Sequence, residues 1–580
     1  MADAMRLRGP DGWATWRDES GRLGFAHRRL AIIDPTTRSD QPMVTPDERY
    51  VIVFNGEIYN FKEVRDQLVS RGHVFRTTGD TEVLLACYRE FASGMVDHLR
   101  GMYAFAIWDA KEHSLFFARD PLGIKPLYYS REGGVLRFAS QVKALRAVTQ
   151  SNEPDPAGQV GFLLWGSVPE PHTLFRSIRA LAPGHTMLVR RDAEPVISRF
   201  ADVAQTLADG AERAVADADR AKQILHDALR ESVEAHMVSD VPVALFLSAG
   251  LDSCTIAALV SEVPNAQPKA LTLGFDQTRG GPLDESRPAS QVAEQYGIPF
   301  HSEYIGRAAF AKEHDALLEA MDQPSIDGVN VYFVSRMAHQ AGYKVSLSGL
   351  GGDEIFAGYN SFQLVPQVAN RLKPLQAFPA LGRGFRWMAA GTVKRLTSPK
   401  YAGLLEYGTS LEGAYLLRRS LYMPWELPSI LDPEIVREGW RELEPLARMR
   451  DGLSPLRGIT GATGDRLRVS SLEMTQYMRN QLLRDADWAG MAHSVEIRVP
   501  LMDFRLLQQL APLLAGPHAP GKIDMALAPQ QRLPAAILER SKTGFAAPVR
   551  EWLLNKNGQP REGAERGLRG WARHILQAFA

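Results

Sequence analysis

Residues 243–254 read Val-Ala-Leu-Phe-Leu-Ser-Ala-Gly-Leu-Asp-Ser-Cys. An apolar strand ends at Leu247, a turn of small residues follows over Ser248, Ala249 and Gly250, and a helix opens at Asp252–Ser253. Small residues let a backbone approach a phosphate closely, and the free N–H groups at a helix start attract anions. Asp252 does not suit direct contact with a phosphate; it suits a Mg²⁺ shared with the phosphate oxygens. A plain strand–helix turn explains the same residues, because Ser and Asp are favoured at helix N-caps in any case. Residues 345–359, Val-Ser-Leu-Ser-Gly-Leu-Gly-Gly-Asp-Glu-Ile-Phe-Ala-Gly-Tyr, repeat the arrangement: a β-run, a Ser/Gly turn, and an acidic pair opening a helix. Asp353 supplies a second carboxylate. Ligands of a parallel sheet bind beyond the carboxyl ends of its strands, so one ligand can meet both turns, and the pair constrains the chain more than either half.

The rest of the sequence supports two units around these turns. Strand, loop and helix alternate from 243: strands at 243–247, 270–275 and 344–348, helices at 254–261, 284–296 and 353–360, the signature of a parallel sheet covered by helices. The remainder, 361–555, reads as mostly helical. Upstream, short strands at 22–34, 50–54, 102–109, 114–118 and 135–139 alternate with helices at 61–71 and 80–93, as in an α+β domain. Residues 201–220 are rich in Ala and Asp and poor in large apolar side chains, and read as a linker into a helix at 220–237. The expected division is therefore 1–200, a linker at 201–220, and 221–580.

Sixty-seven Lys and Arg balance 67 Asp and Glu, which leaves no electrostatic footprint for nucleic acid. No apolar run reaches the ~18–20 residues of a membrane helix, so no nucleic acid and no membrane is expected as a partner. Two cysteines, Cys87 and Cys254, allow no disulfide framework, and the simplest compartment is the reducing cytoplasm.

The pattern S-G-G-x-D-S followed by S-G-x-G-x-D-E resembles the synthetase domain of the glutamine-dependent asparagine synthetases, which belong to the PP-loop ATP pyrophosphatases. Residues 479–503 and the Arg-Ser-Lys-Thr-Gly-Phe run at 540–545 resemble further signatures of that family, in the same order. The resemblance implies a fold: an N-terminal-nucleophile hydrolase-like α/β/β/α sandwich, then a parallel α/β PP-loop domain with a helical C-terminal part. It also implies roles. Ser248, Gly250, Asp252 and Ser253 hold the pyrophosphate. Leu247, Leu273, Ser348 and Gly349 line the nucleoside site of ATP. Asp252 and Asp353 bind Mg²⁺, and Lys542 neutralises the leaving pyrophosphate, where a cation lowers the barrier. Glu496 and Arg498 belong to the 479–503 stretch and equally suit a structural ion pair.

Residues 1–190 resemble the family's glutaminase domain. Arg8-Gly9-Pro10-Asp11-Gly12 matches its R-G-P-D-G turn, Arg29 its carboxylate-binding arginine, and Asn55-Gly56-Glu57-Ile58-Tyr59-Asn60 its N-G-E-I-Y-N motif. The resemblance implies an oxyanion hole from Asn55 and Gly56, and amine binding by Glu57 and Asp80. The family's nucleophile is a cysteine at the mature N-terminus, whereas this chain reads Met1-Ala2-Asp3. Two explanations fit: a start further upstream, or a degenerate relative. The retained pocket residues favour the first. As written, the chain is expected to use ammonia alone.

Two departures touch the synthetase half. Ala249 replaces a common Gly. Leu350 stands where the best-known members carry a Glu thought to assist at the aspartyl adenylate, and a leucine accepts no proton. Glu354 is a candidate to compensate. The leading expectation is MgATP-dependent activation of aspartate to β-aspartyl-AMP, then amidation by ammonia from glutamine, in an enzyme that is a possible homodimer. Alternatives are a related amidotransferase acting on a cell-envelope or sugar-acid carboxylate, a β-lactam synthetase-like cyclase, and a non-catalytic nucleotide-binding pseudoenzyme.

Overall fold

The computed structural model describes residues 1–191, 193–396, 398–540, 547–552 and 568–579. In the N-terminal half, the Tyr50–Ile58 and Gly101–Asp109 strands pair antiparallel over nine residues. They belong to a six-stranded sheet that also contains Met43–Val44, Ser114–Arg119, His185–Arg190 and Val196–Arg199. Side chains alternate across it, as a strand's two-residue period requires. Ile52, Phe54, Phe105 and Ile107 face the helices Phe61–Ser70 and Asp80–Phe91. Val51, Val53, Ala104 and Ala106 face the other way, onto Phe25 of the Gly12–Arg17/Gly24–Arg29 hairpin and Phe138 of a second, three-stranded sheet. That second sheet rests its far face on the helices Val142–Arg146 and Pro156–Trp165. The order is helix, sheet, sheet, helix, as expected.

The C-terminal half is built on a five-stranded sheet whose neighbours all pair parallel. The Val243–Phe246 strand lies at its centre, between Lys269–Phe275 and Val345–Leu347, with Phe300–Ile305 and Glu496–Arg498 at the edges. The chain fills one side of the central strand first and then crosses to the other. The topological switch point therefore falls at the carboxyl end of Val243–Phe246, where such sheets bind ligands. Ala244, Leu245, Val345 and Leu347 are fully buried, which accounts for the uninterrupted apolar runs. No helix among the described residues is long and apolar enough to cross a membrane.

Two expectations need correction. Residues 201–220 are not a loose linker: Val203–Ala211 is a helix with Val203, Ala204 and Leu207 buried, packed on the helix Phe504–Leu514. The small side chains that suggested a missing core are what permit the contact. A Cβ added at Gly210 would lie 2.4 Å from the Ala511 Cβ. The helix expected over 353–360 covers only Gly352–Ile355, because Ala357 has a positive φ of 56°, a conformation that ends a right-handed helix.

The halves are joined by ion pairs, most of them buried. Arg8 donates twice to Asp487, at 2.7 and 2.8 Å. Arg100 reaches both Asp503 and Glu231, and Lys125 meets Glu496 at 2.9 Å.

Candidate active site

The turn after Val243–Phe246 leads into the helix Leu251–Ser261, capped by Gly250. Serines hold its shape. Gly250 N–H donates to Ser248 Oγ at 3.1 Å, Ser248 N–H donates to Ser253 Oγ at 3.1 Å, and the two hydroxyls lie 2.9 Å apart. The N–H groups of the first helical turn are thereby presented at the carboxyl end of the sheet, where an anion meets the positive end of the helix dipole. Ala249 is accommodated without strain, since it is absent from the residues of positive φ, and it is buried in the core.

The second turn presses directly on the first. A Cβ at Gly349 would lie 2.7 Å from the Ser253 backbone nitrogen, and one at Gly352 would lie 2.3 Å from Asp252 Oδ1. Glycine is required at both places by the close approach of the two loops. Ser348 N–H donates to the Arg498 carbonyl at 2.8 Å, tying the second turn to the edge strand.

Asp252 and Asp353 converge on the ammonium of Lys522, which pairs with both; its distance to Asp353 Oδ1 is 3.0 Å. The two carboxylates hold the Lys522 ammonium in its charged form, its pKa raised against the cost of burial. Lys522 opens the short helix Lys522–Ala526 and was not among the residues singled out from sequence. Lys542, which was, lies outside the described residues. No group of three or more His, Cys, Asp or Glu able to hold a metal occurs among the described residues. An Asp252/Asp353 pair that already gathers one cation does suit Mg²⁺, which usually takes one or two carboxylates and completes its shell with phosphate and water.

Leu247 and Leu273, expected to line a nucleoside site, are core side chains, each 2 % exposed. Only their backbone can border a ligand, and the Leu247 carbonyl already accepts from Thr272 Oγ1 at 2.6 Å. Leu350 packs against the apolar core. Glu354 is buried, accepts from Tyr359 Oη at 2.9 Å, and has its pKa pushed up to about 8 by burial and then by Asp353. It is directed into the fold beneath the turn.

The second constellation is a pocket in the N-terminal half bordered by Arg29, Asn55, Gly56, Glu57, Asp80 and Glu496. It brings together all five residues predicted for that half. Gly56 is at φ 145°, and a Cβ there would sit 2.0 Å from the Met102 carbonyl oxygen. Arg29 donates to the Thr36 carbonyl at 2.7 Å and to Asp40 Oδ1 at 2.9 Å, so its fork is held in place by its own loop. Burial pushes Asp80 up to about 6. Burial, then Glu496, raises Glu57 well above the usual carboxylate range. The charges acting on Glu57 are Glu496, Arg498, Asp80 and Lys125: with Glu57 itself, three carboxylates against two cations. Burial favours the neutral form of Glu57, and a cation beside it, such as an alkylammonium, would favour the carboxylate again. Glu57 Oε2 is buried without a hydrogen-bond partner, leaving an acceptor for it.

Glu496 and Arg498 do form the ion pair considered from sequence, at 3.0 Å, and Arg498 also stands 3.6 Å from Glu57. One residue thus touches both constellations: its guanidinium faces Glu57 and its carbonyl holds Ser348. Beside them a small cavity walled by Ile124, Leu483, Met491, Val495 and Ile497, with Lys125 and Asp487 also at its wall, shares Met491 with the first pocket. The cysteines take no part. Both are buried in the core, and burial pushes both thiols up to about 12.

Comparison with known proteins follows this division. Residues 1–200 match the family model of a glutamine amidotransferase domain, and residues 225–578 match that of asparagine synthase. A Bacillus subtilis protein named asparagine synthetase [glutamine-hydrolyzing] 1 is 31% identical over 576 residues, spanning 98% of this chain and 85% of its own. A Mycobacterium bovis protein named putative asparagine synthetase [glutamine-hydrolyzing] is 33% identical over 572 residues, 95% of this chain and 83% of its own. A Penicillium rubens protein named amidase chyE is 30% identical over 382 residues, 62% of this chain and 54% of its own.

Proposed function

The chain belongs to the asparagine synthase family, and from that premise we propose that it activates aspartate with MgATP at the paired turns and amidates the product with ammonia. The observation that carries this reading is the convergence of Asp252, Asp353 and Lys522 at the switch point of the parallel sheet. Ser248, Gly250 and Ser253 offer backbone and hydroxyl donors to the pyrophosphate, and Ser348 and Gly349 border the nucleoside. Asp252 and Asp353 are the residues that would hold Mg²⁺. When bound, it supplies positive charge at the oxygens of the departing pyrophosphate.

A carboxylate oxygen of the substrate attacks the α-phosphorus, and the bond to the β-phosphate oxygen breaks. Pyrophosphate leaves as the acyl-AMP forms. Lys522, paired with Asp252 and Asp353, would offer positive charge to the pyrophosphate as it departs, beside a Mg²⁺ held by the same aspartates. Ammonia then attacks the activated carbonyl carbon, a proton is lost from nitrogen, and AMP leaves. Division into two steps exchanges a poor leaving group for a good one.

The N-terminal pocket suits glutamine: Glu57 and Asp80 face its α-ammonium, Arg29 its carboxylate, and Asn55 with Gly56 its amide oxygen. Neither cysteine of the chain borders that pocket, so the sequence as given supplies no thiolate for glutamine hydrolysis.

Leu350 favours a second reading of the acceptor. It offers no proton acceptor beside the adenylate, and Glu354 is turned into the fold, so a carboxylate other than aspartate fits the same ATP chemistry. Aspartate labelled with ¹⁸O in both carboxyl groups decides between them. Transfer of one ¹⁸O into AMP, with ammonium as nitrogen donor, is the expected result. Turnover of ATP to AMP with no label transferred from aspartate would reject aspartate as the acceptor.

A further inference from the structure

We propose that the segment around the helix Pro379–Leu396 docks the protein onto an anionic lipid surface. From Arg371 to Leu405 the chain carries seven Lys and Arg and no Asp or Glu, in a protein whose overall charge is zero. Within that stretch, large apolar side chains face solvent at an unusual density. Leu381, Phe385 and Met388, spaced by four and three residues, lie on one face of the helix and are 60%, 36% and 72% exposed. Trp387 at 84% and Phe378 at 60% flank them.

The helix is held from its other side. Gly382 lies against the Leu405–Glu406 backbone, where a Cβ would come 2.7 Å from the Glu406 Cα. Arg386 pairs with Glu406 at 2.6 Å and stacks over Trp425 at 5.0 Å. A surface helix normally buries its apolar stripe and shows its polar face to water; this one does the reverse. Contiguous exposed apolar surface of this kind marks an interaction site.

Charge selects the occupant. A second copy of the same face would bring like charges together, since Arg371, Lys373 and Arg383 are all exposed. Nucleic acid would satisfy the cations but leave Leu381 and Met388 without a partner. An anionic bilayer satisfies both. The apolar stripe enters the boundary between headgroups and acyl chains, and Trp387 has the amphipathic ring favoured at that depth. The exposed Arg371, Lys373 and Arg383 meet the headgroups, each attraction confined to within a Debye length. The protein lies on such a surface without spanning it.

The test is co-sedimentation of the full chain with vesicles of phosphatidylcholine alone and of phosphatidylcholine mixed with phosphatidylglycerol. Binding to the mixed vesicles only, weakened by added salt, is expected. The double variant Leu381→Glu/Met388→Glu is expected to bind about tenfold less or weaker still, with pyrophosphate formation from ATP and ammonium unchanged, because both side chains are at the surface. Failure to bind mixed vesicles would overturn the proposal. So would equal binding by the double variant, or a wild-type dimer that the double variant converts to monomer.

Discussion

Replacing Lys522 by Met removes the cation that gathers Asp252 and Asp353 while keeping most of the side-chain volume. At 3.0 Å from Asp353 Oδ1, the gross attraction of two unit charges is about 5 kcal/mol at an effective dielectric of ~20. Desolvation of this mostly buried group returns much of that, leaving on the order of 1–3 kcal/mol. Without Mg²⁺ the variant should therefore melt below the unsubstituted protein. Added Mg²⁺ should recover the difference, because the metal replaces the missing charge. Catalysis is expected to suffer more. A preorganised charge aimed at a developing anion contributes roughly 10²–10³ in rate, so pyrophosphate release with MgATP, aspartate and ammonium should fall by about that factor. A coupled pyrophosphate assay at saturating MgATP reads the rate, and a thermal melt with and without Mg²⁺ reads the fold. Pyrophosphate release within about threefold of the unsubstituted rate would refute the assignment of Lys522 to the leaving group.

Two predictions concern the other pocket. With glutamine in place of ammonium, a protein of this sequence should make amide at a small fraction of the ammonium-supported rate, because both thiols are buried and held protonated; comparable rates by amide-product analysis would mean that another nucleophile serves. Glutamine binding, measured by calorimetry, should weaken as pH falls through about 6, because the Asp80 carboxyl, raised to about 6 by burial, must be ionised to hold an ammonium. The limiting slope for one carboxyl is about tenfold per pH unit, and Asp80→Asn should bind more weakly and lose the Asp80 share of that dependence, with the share of the raised Glu57 carboxyl remaining.

The parts of the molecule most legible in the sequence are those where local chemistry and long-range geometry agree. The 243–254 and 345–359 segments each announce a strand, a turn and a helix start, and a parallel sheet with one switch point brings their ends together. What was not legible depends on contacts between distant residues. Lys522 follows Asp353 by 169 positions and sits between a glycine and an isoleucine in a Gly-Lys-Ile-Asp run, with no local pattern to distinguish it from a solvated lysine. Residues 203–211 looked like a linker because Ala and Gly carry little apolar surface. Close helix packing needs that same smallness, and only the partner helix at Phe504–Leu514 reveals it. Leu273 stands in one of the strands and Leu247 directly after another, but a sequence does not say that their side chains are spent on the core. Arg498 could be read as an ion-pair partner of Glu496, and its contact with Glu57 in the other half of the chain has no sequence signal at all.

The central claim, that the paired turns hold the pyrophosphate of MgATP for carboxylate activation, is tested most directly by pyrophosphate release from Asp252→Ala. The unsubstituted chain with MgATP, aspartate and ammonium should yield AMP and pyrophosphate in equal amounts. Asp252→Ala should lose that release by about 10²-fold or more while melting as a folded protein. Release by Asp252→Ala at the unsubstituted rate would contradict the account, because the carboxylate assigned to the metal would then have no part in the reaction.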